Sequence, residues 1–183
     1  MSDDPSDQPP SPDREWFRSL FHENYRPLLA YARRRVDAGT ADDVVAETLL
    51  VAWRRRDAAP SGHERPWLYG IARNVIRNSA RSARRQHAFH EALRSLHQPK
   101  PSESEAVDEQ ADVMRSALCE LSEDDREILM LVTWEELSYT DVGRVLDISA
   151  NAVAIRVHRA RKRLTGQVAK YLEKDPSDEG HKS

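Results

Sequence analysis

The chain has 183 residues, 39% hydrophobic and 32% charged, with a net charge of only −3. That length allows one moderate domain or two small ones, and a charged share above the usual value of about 25% implies modest cores inside charged helices. Cys119, the single cysteine, excludes an internal disulfide and a cysteine-built zinc cluster. No apolar run nears the roughly 20 residues that cross a bilayer, and the acidic, Pro-rich start is unlike a signal peptide. The expectation is a cytoplasmic protein with no membrane contact of its own.

Charge is unevenly placed. Residues 31–97 hold thirteen arginines against seven acids, residues 101–112 hold five acids and no base, and residues 143–164 hold six bases against one acid. Two basic blocks around an acidic spacer suggest two modules that face a polyanion.

In chain order, "MSDDPSDQPPSPD" reads as a disordered acidic tail over 1–13. A helical module is expected over 14–96. Phe17, Leu20, Phe21 and Tyr25 form its first apolar stripe, and Pro27 starts a second helix with Leu28, Leu29 and Ala32, since proline is tolerated in a first turn but not in an interior. Thr40 with Asp43 three residues on resembles a capping box, opening a helix that buries Val45, Thr48, Leu49 and Ala52. A polar loop over 55–65 leads to Pro66 as a first helical residue, after which Leu68, Ile71, Ala72 and Val75 face inward.

"HQPKPSESEAVDEQ" has the composition of a flexible linker, assigned to 97–111. The second module, 112–173, opens helices at Ser122 and Ser138, each with an Asp three residues later, and at Ser149. Ile128, Leu129 and Val132 line one helix, and Val142, Val145 and Leu146 the next. A short connection before Ser149 makes the last pair a helix-turn-helix, and 174–183 reads as a second disordered tail. The fold class expected is therefore all-α, two small helical domains with a helix-turn-helix in the second.

"NAVAIRVHRARKRL" carries the chemistry. Val153, Val157, Ala160 and Leu164 share one face, while Asn151, Ala152, Ile155, Arg156, Arg159, Lys162 and Arg163 occupy the other. Three readings compete: a solvated basic face, a membrane-surface helix, or a DNA-reading helix. A membrane helix wants bulky apolar and aromatic residues, and here that face holds small aliphatics needed for packing. Arg and Asn suit bidentate contacts to base edges, and later cations suit phosphates. No Gly-rich phosphate loop, metal-ligand cluster or nucleophile–base pair stands at motif spacing, so neither an enzyme nor a cofactor is expected.

"LSYTDVGRVLDISANAVAIRVHRARKRL" resembles the region 4 helix-turn-helix of bacterial RNA polymerase sigma factors of the extracytoplasmic-function class. "DDVVAETLLVAWRRR" followed by "RPWLYGIARNVIRNSAR" is similar to region 2 of the same family, and the resemblance covers about residues 15–95 and 112–170. It implies a non-catalytic factor that binds core RNA polymerase, recognises promoter −10 and −35 elements, helps open the DNA, and is controlled by an anti-sigma factor. It implies that Asp42, Asp43, Glu47 and Thr48 dock on the polymerase clamp, although Asp43 could equally serve helix capping. The apolar helix around Leu129 to Trp134 would meet the flap.

For the opened −10 strand the resemblance implies Arg65, Trp67, Tyr69, Arg73, Asn74 and Arg77, with stacking on aromatics and cationic tracking of the backbone. Trp67 fits core packing as well as stacking, and Trp53 fits the core better than DNA. For the −35 duplex it implies Asn151, Ala152, Arg156 and Arg159 at or near bases and Arg144, His158 and Lys162 at phosphates, although His158 could equally be a bystander. Ile155 and Arg163, on the same outward face, complete the expected DNA-binding set. Two positions depart from the family pattern. Asp147 stands where relatives carry Gly in the turn, a left-handed site that Asp tolerates, and Gly143 replaces a helix-favouring Ala, which should weaken that helix slightly. Two rival functions fit less well: a sigma-like mimic that sequesters an anti-sigma factor, because the last basic helix keeps its cations, and a plain helix-turn-helix regulator, because of the region 2 resemblance and its Arg-rich helix.

Overall fold

The structure, a computed structural model, describes residues 11–91 and 109–173, so the expected tail over 174–183 and most of the tail over 1–13 and of the linker over 97–111 lie outside the described residues. The described residues contain helices and no strand, and the chain divides into two units, residues 1–95 and 96–183.

The first unit packs three helices: α1 (Pro12–Arg33), α2 (Ala38–Arg54) and α3 (Glu64–Glu91), each against the other two. Helix α1 begins at Pro12, inside the stretch expected to be tail, with proline in its first turn where a missing N–H costs nothing. Asp13 accepts from Arg56 Nε at 2.8 Å, tying this end to the loop after α2. The expected break at Pro27 does not occur, and α1 runs through it. Leu20, Asn24, Leu28 and Tyr31 are buried on both sides of Pro27, and their continuous inner face offsets the one lost helical hydrogen bond. Phe21 lies at the rim, 36% exposed.

The cap of α2 sits one turn earlier than Thr40 and Asp43 suggested. Asp37 is the N-cap: its Oδ1 accepts from the Thr40 N–H at 3.0 Å and its Oδ2 from the Thr40 hydroxyl at 2.6 Å. Those two bonds hold the Asp37 carboxyl below the usual carboxylate range. Asp is at least as good a cap as Thr, and Ala38 and Gly39 complete the first turn. The expected stripe of Val45, Thr48, Leu49 and Ala52 is buried, extended by Ala41 and Val44.

Helix α3 opens at Glu64, two residues before Pro66, which keeps Pro66 in the first turn. Leu68, Tyr69, Ile71, Ala72 and Val75 are buried. The loop before α3 is ordered by a single 3₁₀ turn (Arg56–Ala58), the His63 N–H donating to Pro60 O at 3.0 Å, and Gly62, at φ 75°, donating to Glu64 Oε1 at 3.0 Å. Only glycine takes that backbone angle without strain.

The second unit has α4 (Glu109–Cys119), α5 (Glu123–Thr133), α6 (Tyr139–Leu146) and α7 (Ala150–Glu173), with α7 packed on the other three. Residues 109–111, assigned to the linker, belong to α4. Arg126 donates to the carbonyls of Leu118 and Cys119 at 2.8 Å and of Leu121 at 3.3 Å, supplying a cation and donors where a helix C-terminus leaves carbonyls unpaired. Ser122 and Ser138 are N-caps as expected, accepting from the N–H of Asp125 at 3.2 Å and of Asp141 at 3.1 Å. In α5 the inner face is Ile128, Leu129, Met130 and Leu131, and Val132 is only half-buried, because both α6 and α7 pack against α5 and widen its buried stripe.

Between α6 and α7, Asp147 takes the left-handed conformation, φ 55° and ψ 49°. The N–H groups of Asp147 and Ile148 both donate to the Gly143 carbonyl, a helix end of the kind that closes a tight turn. Gly143 is not merely a weak helix former. A Cβ there would stand 2.5 Å from the Ile148 carbonyl oxygen, so the close approach of the turn to α6 requires glycine. Ser149 then caps α7, accepting from the Ala152 N–H at 3.2 Å, and Val153, Val157 and Ala160 are buried against the rest of the unit.

Candidate nucleic-acid interface

In the second unit the helix-turn-helix divides α7 cleanly. Val153, Val157 and Ala160 pack inward, while Asn151, Ile155, Arg156, His158, Arg159 and Lys162 are exposed and Ala152 is half-buried. The division follows from the 3.6-residue period, which sets Val153, Val157 and Ala160 on one arc and leaves Asn151, His158 and Lys162 on the opposite one. A cleft lined by Thr140, Arg144, Ser149 and Ala150 joins α6 to the first turn of α7. Arg144 pairs with Asp141 at 2.8 Å beside it. Arg144 is the expected phosphate contact of this cleft; Thr140 and Ala150 are not expected from the sequence, since only the fold of the turn brings α6 beside the start of α7.

Arg163 departs from the row of phosphate contacts expected at the end of α7. Its Nη1 pairs with Asp125 on α5, whose carboxylate is mostly covered. That pair ties α7 to α5 through the Arg163 cation.

In the first unit the six residues expected at an opened strand do not share one surface. Arg65 is exposed, its Nε 3.5 Å from the Asn24 side-chain oxygen. Asn74 is exposed and Arg73 and Arg77 half-exposed along α3, at a spacing that puts all three on one side. Trp67 is half-buried. Tyr69 is a correction: it is 2% exposed and stacked on Tyr31, ring centroids 4.8 Å apart. The Arg35 guanidinium carbon lies 3.5 Å from the Tyr31 ring centroid. A ring locked in this pair is closed to a nucleic-acid base. Its position beside Leu68 on the inward arc of α3 explains the burial.

The acids expected at a polymerase surface are exposed on α2. Asp42, Asp43 and Glu47 face solvent, and Leu50, 47% exposed, lies on the same side as Asp43 and Glu47. Thr48 is the exception. It is fully buried, and its hydroxyl has no hydrogen-bond partner, so it supports α2 from inside and cannot touch a partner. An open apolar groove beside these acids is lined by Phe17, Phe21, Leu50 and Trp53. Trp53, half-buried, meets Phe17 edge-on at 5.3 Å and lies under the Arg56 guanidinium at 5.1 Å. A second apolar groove, in the other unit, is lined by Met114, Leu118, Leu129, Met130, Trp134 and Leu164, with Met114 43% and Trp134 47% exposed. The residues around Leu129 to Trp134 were expected to face a partner; Met114 and Leu118 on α4 were not. No group of metal-ligating side chains occurs among the described residues, and no described helix is long and apolar enough to cross a membrane.

Two family models match: sigma-70 region 2 over residues 20–86 and sigma-70 region 4 over residues 111–164. The chain is 33% identical over 158 residues to the ECF RNA polymerase sigma factor SigL of Mycobacterium tuberculosis, covering 80% of this chain and 85% of that one. It is 34% identical over 135 residues to the ECF RNA polymerase sigma factor EcfG of Rhodopseudomonas palustris, covering 70% and 71%. Among solved structures, the sigma factor RpoE in complex with the anti-sigma factor NepR from Bartonella quintana matches with a TM-score of 0.65 and 26% identity, covering 88% of this chain and 99% of that one. CnrH in complex with the cytosolic domain of CnrY matches with a TM-score of 0.60 and 25% identity, covering 87% and 92%. With regions 2 and 4 both present, in that order, the chain belongs to the extracytoplasmic-function class of RNA polymerase sigma factors.

Proposed function

We propose that this sigma factor binds core RNA polymerase in the cytoplasm and directs it to promoters through two separate DNA-reading modules, without catalysis of its own. The observation that carries the reading is the outward face of α7, exposed and cationic beyond a capped tight turn, opposite an aliphatic packing face. In this reading α7 enters the major groove of the −35 duplex. Asn151, Ala152, Arg156 and Arg159 stand at base edges, while His158, Lys162 and the cleft beside Arg144 take phosphate. The α3 side with Arg73, Asn74 and Arg77 tracks the opened −10 strand. Trp67 supplies the aromatic surface there in place of the buried Tyr69.

Asp42, Asp43, Glu47 and the neighbouring Leu50 dock on the polymerase clamp, and the groove ending at Trp134 receives the flap. Exposed apolar residues rimmed by charge suit such interfaces. Control by an anti-sigma factor belongs to the same reading, since RpoE and CnrH are similar to this chain and are solved with NepR and CnrY.

Reconstitution tests the reading. With purified core polymerase the chain should co-elute and start transcription at a defined promoter, and Glu47→Lys should abolish co-elution while leaving the helical content intact. A chain that fails to bind core polymerase, or binds it equally well with Lys at 47, contradicts the docking assignment.

A further inference from the structure

Ile155 is the large apolar side chain that α7 leaves exposed among its described residues, at 46%. It is not a stray from the packing face. At about 100° per residue it lies roughly 170° from the mean direction of Val153, Val157 and Ala160, on the crest of the outward face. Its neighbours one turn away are Asn151 and Arg159 at four residues, and Ala152 and His158 at three. No other large apolar side chain adjoins it on this crest, in contrast to the groove of Met114 and Trp134, so a protein partner's apolar surface has little to bury here. Ala152, small and half-buried, leaves room for a base pair to come close beside it.

A helix seated in the major groove on this crest brings Ile155 to the base edges. Those edges carry hydrogen-bond donors and acceptors at every base, and one apolar group, the C5-methyl of thymine. Covering a donor or acceptor with an isoleucine leaves it unpaired and costs free energy, whereas covering a methyl does not. We infer that Ile155 reads the C5-methyl group of a thymine in the duplex element bound by α7, making that promoter position selective for thymine. The inference rests on α7 being the duplex-reading helix.

The test uses holoenzyme assembled from the full chain and core polymerase. It first selects its −35 duplex from a random pool; each thymine of the selected element is then replaced singly by deoxyuridine, which removes only the methyl. At one position the wild-type holoenzyme should bind about fourfold more weakly, the amount expected for one methyl taken out of contact. Ile155→Ala holoenzyme should not distinguish thymine from deoxyuridine there, and Ile155→Val should retain most of the difference. The residue is exposed, so folding is not at stake, and circular dichroism checks it. A selected element without thymine, no thymine whose methyl matters, or the same loss in both holoenzymes overturns the inference. Selection of no duplex sequence at all, seen before any deoxyuridine is introduced, overturns the reading of α7 itself.

Discussion

The two units divide labour differently on the helices proposed to face DNA. In α7 the buried side chains are small aliphatics, and Asn151, His158, Arg159 and Lys162, all able to contact a base or a phosphate, lie on the other arc. In α3 the buried arc contains Tyr69, chemically suited to stacking on a base yet committed to stacking on Tyr31. Period alone separates the two roles when packing residues and binding residues are different types, as in α7. It cannot when one aromatic type serves both, and then only the neighbour across the core decides.

The largest expected effect tests that contrast directly. Tyr69→Ala should cost about 3–5 kcal/mol, the range for deleting a buried aromatic, read by chemical denaturation of the free protein with no DNA present. Trp67→Ala, at a half-buried site, should lose less stability and should weaken binding of holoenzyme to an opened −10 strand. If Tyr69→Ala leaves stability untouched and Trp67→Ala leaves strand binding untouched, the roles of the two aromatics are reversed.

Glycines sharpen the comparison within the second unit. Gly143→Ala forces a Cβ to 2.5 Å from the Ile148 carbonyl, a backbone atom that cannot swing away. It should destabilise by about 1–3 kcal/mol despite alanine's higher helix propensity. Gly166 is exposed in α7, with nothing within 4 Å of an added Cβ. Gly166→Ala should therefore stabilise by about 0.5–1 kcal/mol. The sign difference between two helical glycines, measured by the same denaturation, checks the tight turn that presents α7. Equal signs would mean that α6 and the turn relax.

Much of this was legible without the structure. The serine caps of α5, α6 and α7, the buried stripe of α2 and the split face of α7 follow from spacing and from what unpaired N–H groups need. Misreadings came where a residue's local preference competed with packing. Pro27 reads as a boundary, but Leu28 and Tyr31 continue the buried face set by Leu20 and Asn24, so the helix runs on. Thr40 reads as a cap, but Asp37 stands three residues earlier with two bonds to it. Thr48 fits both the buried stripe and the docking set by sequence, and its burial decides. Gly143 reads as a weakness because sequence spacing does not reveal a carbonyl five residues on folding back over it. The acids exposed on α2 are legible in the sequence, whereas the apolar groove beside them is not, since Phe17 and Trp53 come from different helices.

The smallest effect separates two adjacent cations. Lys162 lies on the crest of α7 and Arg163 one residue further round, paired with Asp125. A phosphate contact releases counterions when it forms, so removing one lowers the slope of log binding constant against log salt by about 1. Lys162→Gln should lower that slope for holoenzyme on its −35 duplex. Arg163→Gln should leave the slope alone and instead cost the free protein at most ~1 kcal/mol, the range of a partly exposed ion pair. Asp125→Asn supplies the control. It frees Arg163 without deleting it, so the slope should hold or rise, because an unpaired guanidinium at the edge of the groove can then reach phosphate. A fall in slope with Arg163→Gln equal to that with Lys162→Gln would put both cations on DNA and make the contact with Asp125 one that binding breaks.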